Sequence, residues 1–459
     1  MAVLVWVLND PDTAVTRSMS ISHGTSASDA KSLLQSHEPR YRYVSRLVGY
    51  WLLCAATLGL QYAYGALFVQ FLELLGGSRA LAALVGSLCI GFQQLFSPVV
   101  VMLCARYGTR RITMIGGLSI AAGLAGSGCA TRLWHLLFTY SLVVGIGCSM
   151  ALYPAILLAN TAFKRSMARA HAVANTGSAF GTITIGPIAP WLFEAFGLRR
   201  ALLLLASFGL VFVGTGALCL LPLPRHTTRD APATWQSTCS MLRDSRVLTL
   251  SCATLMASAG SWIPIVHIVR LAMDRNLAEA EAAHLLVFIA IGNGLGRLPT
   301  ATLADLFGRR RVWACAVLSY AMLALLAAPH VAYSSSRAFL AIFAFFAGWL
   351  AGGLNTVMPT LSSEVLPPHR CAQATPLIMA PSGVGFVLGP AAAGWVVDVH
   401  GSYAAALVSA AACLATGASL CGLSICRHHV VSGAARVDTA TSSQSGLATA
   451  DATMVEIER

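Results

Sequence analysis

Gly186-Pro187…Trp191…Glu194…Gly197 and Gly389-Pro390…Trp395…Asp398…Gly401 are two copies of one pattern. The Gly-Pro pairs are offset by 203 residues, and the Trp, acidic and Gly positions by 204, one insertion apart. Other pairs fall at nearly the same distance. Arg106-Tyr107-Gly108-Thr109-Arg110-Arg111 is matched 200 residues on, at the glycine, by Asp305-Leu306-Phe307-Gly308-Arg309-Arg310-Arg311. Tyr153-Pro154 is matched by Met358-Pro359. A chain that repeats itself at this distance is two similar halves in tandem.

Composition sets the environment of those halves. Of 459 residues, 56% are hydrophobic and 10% charged, against about 25% charged in a soluble protein. Mean hydropathy is +0.70. Apolar runs of membrane-spanning length alternate with short charged loops. Twelve runs are read, at 47–70, 80–104, 112–130, 134–158, 171–195, 201–221, 247–270, 284–304, 312–332, 338–361, 372–397 and 402–426. The expected fold is an all-α membrane protein, with twelve transmembrane helices in two six-helix halves. Residues 1–40 are expected to be a disordered cytoplasmic tail, 41–221 the first half and 222–246 a proline-containing cytoplasmic linker. Residues 247–426 are the second half and 427–459 a disordered cytoplasmic tail.

The net charge of +12 reflects topology. With both termini in the cytoplasm, the inner loops carry Arg106, Arg110, Arg111, Lys164, Arg165, Arg169, Arg225, Arg229, Arg243, Arg246, Arg309, Arg310, Arg311 and Arg370. The outer loops carry half as many, namely Arg79, Arg132, Arg199, Arg200, Arg270, Arg275 and Arg337. That bias is the positive-inside rule, and it argues against a nucleic-acid partner. Membrane lipid is the expected surrounding, and an accessory membrane subunit is left open. The opening Met1–Leu8 has no basic flank and is not read as a signal peptide. Asp29…Leu33-Leu34 fits a short acidic sorting pattern, so a vacuolar or vesicular membrane stands beside the plasma membrane as the destination. The 13 cysteines lie mostly singly in apolar runs, without metal-ligand spacing. No catalytic set, metal site or cofactor is expected.

One charge interrupts the eighth run. Arg297 lies in the stretch Leu285–Leu303, with no acid between Glu281 and Asp305. A charge near a bilayer centre costs about 2.5–3.5 kcal/mol on insertion scales and marks a site or an internal pairing. A guanidinium can fork onto a carboxylate; the plain alternative is an arginine bonded to backbone carbonyls. Asn293 lies one helical turn earlier, on the same face. Gly292, Gly294 and Gly296 thin this helix, either for a ligand or for packing. Gln61, Tyr62 and Tyr64 in the first run, Tyr153 beside Pro154, and Asn355 before Pro359 are the further candidate binding residues. Asp305, Arg309 and Arg310, with Arg106, Arg110 and Arg111, are candidate gate residues.

These motifs resemble the major facilitator superfamily, and within it the monocarboxylate transporter branch and its relatives the oxalate/formate antiporters. The resemblance covers about 42–426. The superfamily signature G-x-x-x-D-[RK]-x-G-R-[RK] is recognisable in the 301–310 stretch, but its first copy has Val101 and Ala105 in place of Gly and Asp. Gly145-Ile146-Gly147…Tyr153-Pro154, the basic segment before run five, and Gly389-Pro390…Asp398…Gly401-Ser402-Tyr403 are further matches. Gly296-Arg297, four residues after Asn293, resembles the eighth-helix motif whose arginine binds the substrate carboxylate, which implies that role for Arg297. The proton-coupled carriers have an Asp where Asn293 stands, and a first-helix Lys where this chain has Ala66. The resemblance implies a secondary transporter of a small organic anion working by alternating access, with no enzyme activity. A carrier of neutral or zwitterionic solutes such as amino acids is the alternative, and a transport-dead sensor on the same scaffold is another.

Overall fold

The computed structural model describes residues 40–76, 78–163, 166–221, 240–273, 277, 279–333, 336–364, 366 and 368–425. Most of the 222–246 linker, both tails with their sorting pattern, and Lys164 and Arg165 lie outside these residues.

The regular elements are helical. In the first half they are α1 (Arg40–Tyr62), α2 (Tyr64–Leu75), α3 (Arg79–Leu95), α4 (Ser97–Tyr107), α5 (Thr109–Ser127), α6 (Leu133–Leu136), α7 (Gly145–Ala162) and α8 (Met167–Cys219). A π-helical stretch, Leu137–Val144, joins α6 to α7. The second half has α9 (Ser245–Met273), α10 (Glu279–Phe307), α11 (Arg309–Tyr333), α12 (Arg337–Val357) and α13 (Pro368–His400). A final span, α14, covers Tyr403–Ile425.

Nine of the described helices are long and apolar enough to cross a membrane, or ten if a pair bent by 47° at Phe96 counts as one span. Pro98, in the first turn of α4, withholds a backbone N–H there. The longest helix, α8, is two helices meeting at Gly197, whose φ of 71° no helix contains. Runs five and six of the sequence reading fall on either side of that glycine. Run three, within α5, is not among the nine.

The backbone repeats as the sequence does. Gly108 and Gly308 have φ of 86° and 99°, and Gly197 and Gly401 have 71° and 64°. Each pair holds the left-handed conformation that costs glycine little, at matching turns of the two halves. Close helix packing repeats too. Gly177 and Gly181 of α8 press on the backbone of Trp51 and Ala55 in α1, as Gly385 and Gly389 of α13 press on Leu255 and Ala259 in α9. Small residues at such seams let helix backbones approach in a membrane, where packing takes over from the hydrophobic effect.

The helix bearing Arg297 is seated the same way. Gly292 and Gly296 lie against the backbone of Phe345 and Trp349, and Gly348 and Gly352 of α12 lie against Ile289 and Asn293. Packing is therefore the role of Gly292 and Gly296; only Gly294 faces open space. This seam packs α10 backbone to backbone against α12 at the level of Arg297.

Candidate functional site

Arg297 is 3% exposed and lines a cavity of about 70 Å³ between the halves. Its Nε and Nη2 donate to Asn293 Oδ1 at 3.1 and 2.6 Å. Its Nη1 donates to the Asn175 carbonyl of α8, across the interface, at 2.6 Å. Both acceptors are neutral. A guanidinium has more donors than these bonds use, so N–H capacity remains for an anion. The carbonyl pairing weighed in the sequence reading is thus present, and it leaves the positive charge without a counter-ion among the described residues.

Gln61, Tyr62 and Asn355 line the same cavity, while Asn293 acts through Arg297. Tyr64 and Tyr153 are placed elsewhere. Tyr64, two residues after Tyr62 and so on the opposite side of the helix, joins an aromatic cluster with Phe68, Phe71 and Tyr140. The Tyr64 hydroxyl donates to the Ala82 carbonyl at 2.6 Å. Tyr153 donates to Gln94 Oε1, and Gln94 Nε2 reaches Ser382 Oγ at 3.3 Å, so this pair ties the halves together beside the cavity.

Sequence reasoning missed several cavity residues: Tyr50, Gln93, Gln94, Asn175, Trp262 and Phe386. Asn175 was signalled only as a lone amide in a small-residue helix. Tyr50 leads to a buried chain. Its hydroxyl lies 2.8 Å from His171 Nδ1, and His171 Nε2 lies 2.7 Å from Asn160 Oδ1. Asn160 Nδ2 then donates to the Pro359 carbonyl at 3.1 Å, across to the second half. A second, apolar cavity of about 10 Å³ beside His267 is no larger than a single water requires.

The halves also meet at the end where the 305–311 turn lies. Asp305, at the C-terminal end of α10, accepts from the backbone N–H groups of Ala168 and Arg169 at 3.2 and 3.0 Å. These are the first N–H groups of α8, left without intrahelical partners, and the carboxylate also favours the positive helix start. Arg169 and Arg309 flank Asp305 at 3.3 and 3.2 Å. One residue of the second half therefore caps a helix of the first. Position 105, the repeat counterpart, is Ala105, so the same cap cannot form in the other direction.

Glu364, absent from the sequence reading, caps α11 within its own half. It accepts from the Arg309 and Arg310 backbone N–H groups and pairs with Arg310 Nε at 3.3 Å. Arg310 Nη1 reaches the Ser424 carbonyl at the end of α14. Arg106, Arg110 and Arg111 are exposed; Arg106 lies over the Tyr107 ring.

The family model described as "Major Facilitator Superfamily" matches residues 50–274 and 250–427. Monocarboxylate transporter 13 of Rattus norvegicus is 28% identical over 369 residues, covering 80% of this chain and 85% of the relative. Monocarboxylate transporter 10 of Danio rerio is 28% identical over 421 residues, covering 87% and 81%. Among solved structures, the major facilitator transporter FucP in an outward conformation superposes with a TM-score of 0.64 at 16% identity, covering 83% of this chain and 99% of that one. The human organic anion transporter MFSD10 gives 0.61 at 18% identity, covering 84% and 99%. At these identities the structural matches speak for the fold.

Proposed function

This chain belongs to the major facilitator superfamily and, within it, to the monocarboxylate transporter branch, and from that membership we propose that it carries a small organic anion by alternating access, with the carboxylate received by Arg297. Multi-pass membrane transport, not enzyme catalysis, follows from the family itself. The observation that carries the anion reading is the position of Arg297: buried, on a cavity between the halves, with neutral partners and donors to spare. The relatives' name, monocarboxylate transporter, fits the same reading.

Asn293 and the Asn175 carbonyl hold the guanidinium plane in place, so little ordering is needed when the anion arrives. Because the Asn175 carbonyl belongs to the first half and Arg297 to the second, opening the inner end breaks that bond. A bound carboxylate offsets the loss by taking the freed donor. The Asp305 cap and the Asn160–Pro359 bond close the inner end in this conformation. Gln61, Tyr62 and Asn355 contact the rest of the substrate. The membrane is the plasma membrane, or a vesicular or vacuolar one.

The second reading, a carrier of neutral or zwitterionic solutes, is favoured by the neutral satisfaction of three Arg297 contacts. Uptake into proteoliposomes, tested against a panel of monocarboxylates and neutral solutes, separates the two. Monocarboxylate uptake lost in Arg297→Ala supports the anion reading, and neutral-solute uptake retained in that variant overturns it.

A further inference from the structure

The buried chain that runs from Tyr50 to the Pro359 carbonyl has a direction, and its middle residue sets it. His171 is fully buried, and Tyr50 and Asn160 are nearly so. A carbonyl only accepts. Asn160 therefore presents Nδ2 to Pro359 of the second half, at 3.1 Å, and turns Oδ1 back to His171 Nε2, at 2.7 Å. That oxygen also only accepts, so Nε2 carries the ring proton. Nδ1 is then the acceptor for the Tyr50 hydroxyl, at 2.8 Å, and the two rings stand edge-on with centroids 5.4 Å apart. A neutral imidazole in this one tautomer satisfies every bond in the chain.

An asparagine amide keeps its shape when oxygen and nitrogen exchange places. Packing therefore does not choose between the two orientations of Asn160. Thr375 does not choose either: its Oγ1, 3.4 Å from Asn160 Nδ2, both donates and accepts. Turned over, Asn160 would set Oδ1 against the Pro359 carbonyl, and two acceptors would meet across the halves. The Nε2–H of His171 is the group that selects the bonding orientation. The placement suits the task. His171 lies in the first two turns of α8, the helix whose start Asp305 caps from the second half. Thr375 stands 204 residues after His171, the interval from Gly181 to Gly385, so the amide links the neighbourhoods of equivalent positions in the two halves.

We infer that His171 is a positioning residue for closure of the inner end: it locks the Asn160 amide in the orientation that bonds the second half, and Tyr50 locks the histidine ring. The inference rests on the alternating-access reading, in which this conformation is closed at the inner end. It is independent of which substrate is carried and of what Arg297 binds.

The test reads the inner end directly. Ser97 is buried, its hydroxyl 3.2 Å from the Pro376 carbonyl across the halves. In the full chain carrying Ser97→Cys, a membrane-impermeant maleimide is applied from the cytoplasmic face without substrate, and labelling is taken as the excess over protein with native Ser97. His171→Leu should speed it by roughly three- to tenfold, the span of one neutral hydrogen bond. His171→Gln, which keeps an N–H donor and an acceptor, should restore most of the slow rate. Asn160→Leu should label at least as fast as His171→Leu. Adding His171→Leu to it should then change the rate by less than about twofold, because His171 acts through Asn160. A histidine that merely fills space would add its effect in both backgrounds. The tautomer is read without any destabilising variant: with isotopically labelled histidine, the His171 nitrogen resonances, assigned by their loss in His171→Gln, should report a protonated Nε2 and a bare Nδ1. Labelling unmoved in His171→Leu while Asp305→Asn raises it, equal increments with and without Asn160→Leu, or the opposite tautomer overturns the inference. Labelling unmoved in Asp305→Asn as well refutes the inner-end closure on which it rests.

Discussion

Replacing Asp305 by Asn should loosen the inner end of the transporter while leaving each half folded. The carboxylate accepts two backbone N–H groups and the Arg169 side chain from the first half. Its side chain is 3% exposed, so screening of the backbone contacts is slight; Arg169 is 18% exposed, so that ion pair adds less. Hydrogen bonds to a charged group contribute about 1.5–3 kcal/mol each, and asparagine keeps one oxygen acceptor, so the net loss across the interface is about 2–3 kcal/mol. That is roughly a 30- to 150-fold shift toward the inner-open state. Ser97 reports it: fully buried, its hydroxyl lies 3.2 Å from the Pro376 carbonyl across the halves. In Ser97→Cys protein, a membrane-impermeant maleimide applied from the cytoplasmic face should label faster by about that factor when Asp305→Asn is added. Glu364→Gln is the control, since Glu364 serves only α11 and Arg310 in the contacts described. It should lower thermal stability without the same gain in labelling. Equal labelling in Asp305 and Asp305→Asn proteins would refute the inter-half cap.

Gly296→Leu should destabilise the protein by about 3 kcal/mol, the upper end of overpacking costs, because the new side chain meets the Trp349 backbone; Gly294→Ala, facing open space inside a helix, should be neutral to stabilising by up to about 1 kcal/mol. Melting in detergent decides this, and an unaffected Gly296→Leu would contradict the seam. Transport should respond weakly to an imposed proton gradient, since Asn293 does not titrate and the cavity-lining residues include no acid. A several-fold stimulation by a proton gradient, abolished by Asn293→Ala, would contradict that.

The fold was legible because its signals are local. Left-handed glycines at 108, 197, 308 and 401 occupy turns whose residue types survive in both halves. Arg297 was legible because a charge in an apolar run needs a reason, and Asn293 because one helical turn separates them. Tyr64 misled, since residues two apart on a helix face opposite sides, and Tyr64 packs with Phe71 and Tyr140 while Tyr62 lines the cavity. Gly292 and Gly296 were ambiguous alone; their partners Gly348 and Gly352, spaced alike on α12, disclose the seam only when the two helices are placed together. Gln93 and Trp262 carried no signal at all. Their place on the cavity depends on everything packed around them. Glu364 was likewise hidden, because its partners lie 54 and 55 residues away.

The central claim is that Arg297 binds the substrate anion. Monocarboxylate uptake by Arg297→Lys and Arg297→Ala, normalised to protein at the membrane surface, tests it most directly. Both should reach the surface, since neither orphans a buried acid, and both should lose most specific uptake: lysine keeps the charge but not the planar fork. Normal specific uptake in Arg297→Ala would contradict the account and leave Arg297 as a brace between α10 and α8.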